Sequence, residues 1–128
     1  MRSMLAVVIV LASSASAFAT GATISYSTAR AIWQQKYQTA EYQKYAAEFV
    51  QFNNHFHLDE RDGCYALGSG SVDLMLFITH PAGSQFAVVE RVLSSVDNAK
   101  ARCFAKSYRG IQTKVPPFLP FVLQMKMR

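Results

Sequence analysis

Histidine and carboxylate side chains crowd together at one place in this chain, where His55-Phe56-His57 is followed by Asp59, Glu60 and Asp62. These are metal-ligating types, but zinc needs three or four donors in fixed geometry. An alternating His-x-His without a second matching motif is equally a solvated turn, so no metal and no other cofactor is expected. His80 stands alone. Cys64 and Cys103 are the only cysteines, and their spacing is far from Cys-x-x-Cys. An even count in an oxidising compartment reads as one disulfide, which would stabilise the fold by about 3 to 4 kcal/mol; two buried free thiols are the alternative. Gly68-Ser69-Gly70-Ser71 lacks the strand-turn-helix context of a nucleophilic serine and the Lys-Ser/Thr ending of a phosphate loop. Asp73 and Glu90 would pair as carboxylates only if strand register put them on one face. No catalytic residue emerges, and the chain is expected not to be an enzyme.

The elements that carry these residues divide near Gly63. Ser27 or Thr28 can cap a helix that meets no Gly or Pro until Gly63, with Asn53-Asn54 as its end and Leu58 to Gly63 as a polar turn. Tyr42, Tyr45, Phe49, Phe52 and Phe56 recur at spacings of three and four, which stacks five rings on one helical face. That face is either a core surface or a docking surface. Beyond the turn, Val72, Leu74, Leu76 and Ile78 alternate, as on a strand with one buried side. Pro81-Ala82-Gly83-Ser84 is turn chemistry, and a second strand follows from Gln85 to Leu93. Ser95-Val96-Asp97-Asn98 offers caps for a helix ended by Gly110. On it Val96, Ala99, Cys103, Phe104 and Tyr108 form the inner face, and Lys100, Arg102, Lys106 and Arg109 the outer. Pro116-Pro117-Phe118-Leu119-Pro120 is expected to be extended, and Phe121 to Met127 forms a last strand. The fold class is therefore α+β, an N-terminal amphipathic helix followed by a β-β-α-β unit with a small antiparallel sheet.

Met1-Arg2-Ser3, the apolar run from Met4 to Ala12 and the small residues from Ser13 to Ala19 follow the order of a secretory signal. Cleavage is expected after Ala17 or Ala19, because a retained span needs roughly 20 apolar residues. Residues 1–19 are thus read as signal peptide, 20–62 as a helical arm and 63–128 as the α+β domain, in the periplasm or secreted. The formal charge is +5. Lys100, Arg102, Lys106, Arg109, Lys114, Lys126 and Arg128 lie in a stretch without one acidic residue. Such a region attracts acidic partners, an acidic membrane surface among them; a merely solvated face is the plainer reading. Nucleic acid is not expected as a partner of an exported chain.

Gly70-Ser71-Val72-Asp73-Leu74 at the first strand, Gly83 in the hairpin turn, Val88 to Ser95, Cys103 within the helix, and Val115-Pro116-Pro117-Phe118 before the last strand together resemble the C-terminal domain of the TonB energy-transducer superfamily. The resemblance covers roughly Gly63 to Arg128. It implies a small α+β domain that binds by strand pairing or surface docking rather than by catalysis. The chain departs from a transducer in its cleavable N-terminus and in lacking a long proline-rich spacer. The reading is a secreted or periplasmic binding domain for an envelope protein. Its contact surface is placed on Lys106, Arg109 and the last strand, with Phe121, Leu123 and Met125 alternating with Val122 and Gln124, whose edge could accept a partner strand. An immunity or inhibitor protein that neutralises a toxic enzyme is one alternative, and a membrane-anchored energy transducer the other.

Overall fold

The computed structural model describes residues 24–53 and 63–128. The proposed signal peptide, the helix end at Asn54, Phe56 of the aromatic stripe and the His55 to Asp62 cluster lie outside the described residues. Helix α1 spans Tyr26–Lys36 and helix α2 spans Ala40–Asn53. Strands β1 (Val72–Thr79) and β2 (Ala87–Ser94) form a hairpin. Helix α3 (Ala99–Tyr108), the short strand β3 (Gln112–Thr113) and strand β4 (Phe121–Met127) complete the chain. All pairings are antiparallel, in the order β3-β2-β1-β4. The fold class is α+β, as the sequence predicts.

The arm is two helices rather than one. Ser25, not Ser27 or Thr28, caps α1, its hydroxyl accepting from the Thr28 amide at 3.2 Å. Neither Gly nor Pro breaks the arm; Thr39 does. Its hydroxyl donates to the Lys36 carbonyl at 2.7 Å, which closes α1, and accepts from the Tyr42 amide at 3.3 Å, which caps α2. A short hydroxyl side chain competes with the helical ladder in this way, and here the break lets the chain round an edge of the sheet. Trp33 Nε1 on α1 donates to Tyr42 Oη on α2 at 3.0 Å, and the Gln124 amide of β4 donates to the same oxygen at 3.1 Å. The turn between the helices is thereby fastened to the β4 edge.

Both faces of the sheet are covered, which explains why β1 has five consecutive apolar side chains, Leu74 to Ile78. Val72, Leu74, Leu76 and Ile78 point to the larger core with Phe104, Tyr108, Phe121 and Leu123. Met75 and Phe77 point the other way, against Ile24 and Ala29 from the α1 segment and Val122. Tyr42, Tyr45 and Phe49 of α2 are buried in the larger core, Tyr45 edge-on to Phe121 at 4.6 Å between ring centroids. Phe52 lies on the same face but beyond the core, at 56% exposure. The stripe is thus core over its first three rings.

Register changes between Phe77 and Ile78, where Val89 and Arg91 sit opposite and Glu90 is the extra residue. A strand alternates its side chains strictly, so without this bulge Val89 and Val92 could not both face the larger core. The register also ends the idea of paired carboxylates: Glu90 lies at the bulge beside Ile78, while Asp73 pairs with Lys126 and its main-chain carbonyl accepts from the Ser95 amide at 3.0 Å.

Helix α3 is capped by Asn98, whose side chain accepts from the Ala101 amide at 2.8 Å. Its inner face is Lys100, Ala101, Phe104, Ser107 and Tyr108, a rotation from the predicted one. Val96 and Ala99 are exposed, and Lys100 is 5% exposed rather than outward. Its Nζ donates to the Gly70 carbonyl at 2.6 Å and lies 5.6 Å from the Tyr65 ring, which satisfies a charge that burial alone would penalise. Gly110, at φ +84, reverses the chain so that its amide reaches the Val89 carbonyl at 2.8 Å. Cys64 and Cys103 form a disulfide with a Cα separation of 5.4 Å. It ties the single helical turn at 63–65 to α3. The proline segment does not run extended but bends at 117–120, with a cis Leu119–Pro120 bond.

Candidate binding groove

A groove of about 1050 Å³ opens between the C-terminal half of α2, the end of α3 and the β3 strand, with Phe86 at one side. Each wall has a local cause. Helical spacing sets Tyr45, Phe49 and Phe52 along the α2 side, and Tyr45 anchors that helix by donating to the Lys114 carbonyl at 2.7 Å, with Thr113 Oγ1 at 3.2 Å. The left-handed Gly110 turns the chain out of α3 into β3, so residues 110–114 form the floor. Phe86 precedes β2 and is 51% exposed.

The rim is cationic. Lys106 and Arg109, three apart on the last turn of α3, are exposed and lack an ion-pair partner among the described residues. Lys114 reaches Glu48, the groove's carboxylate, at 3.4 Å, a weak pair between side chains that are 74% and 38% exposed. Burial pushes the Tyr45 hydroxyl above its ordinary pKa, and the charge of Glu48 adds to that, while the Thr113 hydrogen bond opposes it. Tyr42 is raised in the same way by burial, against the hydrogen bonds from Gln124 and Trp33.

The residues singled out from sequence fall into two places. Lys106 and Arg109 line the groove at the β3 end, whereas Phe121 to Met125 belong to β4 at the opposite edge. Three strand spacings separate those edges, about 14 Å. Phe121, Val122 and Leu123 are buried, and Gln124 and Met125 half-buried. A partner at β4 would therefore meet main chain, part of which Tyr42 already occupies. His80 Nε2 donates to the Ser84 carbonyl at 2.7 Å and closes the hairpin turn. Among the described residues no three His, Cys, Asp or Glu side chains gather as a metal site.

No family model, curated protein or solved structure matches the chain. The groove's own chemistry is thus the guide to its use. The sequence shows Lys114 only as one of a basic run and Phe86 only as part of the second strand, and it gives no sign of β3. Only the i, i+3 spacing of Lys106 and Arg109 was there to be read, since the two-residue strand exists through its pairing with Ala87 and Val88.

Proposed function

We propose that this chain is a non-enzymatic, extracytoplasmic binding domain that docks an envelope protein, in the manner of the TonB-type C-terminal domain that its second half resembles. The observation that supports it most is the groove, where exposed aromatic rings stand beside Lys106 and Arg109, cations without a carboxylate partner among the described residues. Aromatic residues and arginine in concave sites carry a large share of binding energy at protein interfaces. The Cys64–Cys103 disulfide fits an oxidising compartment outside the cytoplasm. Among the described residues no helix is long and apolar enough to cross a membrane.

In-cell photo-crosslinking from Gln112 in the groove and from Gln124 on β4 tests this reading. One envelope protein captured reproducibly from Gln112 supports docking at the groove, and capture from Gln124 moves the contact to β4. Absence of any protein adduct from both positions would defeat the proposal, as would hydrolysis of a peptide, lipid or glycan that one substitution abolishes.

A further inference from the structure

We infer that the groove between α2 and β3 receives an acidic peptide segment carrying a bulky apolar side chain; this rests on the binding role proposed above. Charge gives the first half of the inference. Lys106, Arg109 and Lys114 converge on a recess in which Glu48, the one carboxylate among its described lining residues, leans towards Lys114 at 3.4 Å. A cleft lined by one sign of charge focuses its field on a ligand of the other sign. The walls give the second half. Phe52 and Phe86 are 56% and 51% exposed and flank Phe49 and Ile111, so an apolar anchor placed between them would cover surface that now faces water.

The floor favours a peptide over a lipid headgroup. The Val89 amide donates to the Ile111 carbonyl at 2.9 Å, so Ile111 turns its carbonyl to β2. Main-chain groups alternate in direction along an antiparallel strand, and the next residue, Gln112, therefore directs its amide and carbonyl away from β2, on the strand that ends the sheet. A passing peptide can use such groups through strand addition. The same cations on a projecting surface would suit a membrane; here they ring a concavity.

The test uses the full secreted chain, oxidised, and a fluorescently labelled octapeptide in which Glu or Asp alternates with Phe or Leu. Saturable binding is expected, weakened about tenfold by Lys106→Glu with Arg109→Glu and again by Phe86→Ser, and falling as salt rises. A matched peptide with Lys in place of the acidic residues should not bind. Lys106, Arg109 and Phe86 are exposed, so the variants should fold, and an unchanged near-UV spectrum checks that they do. No saturable binding of the acidic peptide, or binding indifferent to the charge reversal, overturns the inference. Binding to phosphatidylglycerol vesicles without binding to the peptide also overturns it and assigns the cations to a membrane. A protein crosslinked from Gln112 through a segment without carboxylates would defeat this inference while leaving the binding role intact.

Discussion

Tyr42 does three jobs with one side chain. Its ring stacks on Phe121 at 5.3 Å between centroids, and its hydroxyl accepts from Trp33 and from the Gln124 amide. Tyr42→Phe keeps the ring and leaves two donors without an acceptor, so we expect a loss of about 1 to 3 kcal/mol in urea unfolding. Tyr42 and Tyr45 also predict a pH dependence. Burial raises both hydroxyls above the ordinary value of 10.0, so the folded state holds these protons more tightly than the unfolded one. Their contribution is fully present below pH 10 and is lost as pH rises through the raised folded values. The urea midpoint should fall above pH 10, and less steeply in a Tyr42→Phe, Tyr45→Phe double variant. Equal slopes in the two proteins would show that other groups drive the alkaline loss.

At the scale of elements, one short-range device and one long-range tie fix the course of the chain. Thr39 closes one helix and opens the next, and replacing it with Ala should cost about 1 kcal/mol of stability by calorimetry. The disulfide joins a turn to α3 across 39 residues of sequence. Reduction should lower the unfolding free energy by about 3 to 4 kcal/mol in the loop-entropy account, measured by urea titration with and without reductant. The cysteine pairing could be read from count and compartment alone. Thr39 could not, because a threonine within a long run free of Gly and Pro is usually tolerated in a helix; the break accompanies the hydrogen bonds that join Trp33 and Tyr42 to the Gln124 amide of β4. The rotation of α3 has a similar origin. Charge alone places Lys100 in solvent, but Gly70 and Tyr65, some 30 residues earlier in the chain, supply the partners that let it turn inward.

For the whole molecule, α1 matters most as the cover of the second sheet face. Ala29 is fully buried where α1 meets Met75, Phe77 and Val122. Ala29→Glu should prise the helix from the sheet, since a charge has no partner there. Increased dye binding to exposed apolar surface and earlier elution on size exclusion are the expected results; unchanged behaviour in both would mean that α1 is dispensable. The fold also disperses the basic run. Lys106, Arg109 and Lys114 gather at the groove, Lys100 turns inside, and Lys126 and Arg128 stay with the β4 end, so the one-sign stretch of sequence is not one surface.

Periodicity and turn chemistry were enough to establish, from sequence alone, an α+β chain with a β1–β2 hairpin, a capped helix ending at Gly110 and a last strand from Phe121 to Met127. These follow from local rules: alternation, helical spacing, caps and glycine turns act over a few residues. The tertiary structure decided the rest. It split the arm at Thr39, covered both sheet faces, shifted β2 by one residue at Glu90, and assembled the groove from α2, Phe86, α3 and β3. Thr39 makes its split through near neighbours, but the other features depend on contacts between residues far apart in the chain, where packing and hydrogen-bond satisfaction outweigh local preference.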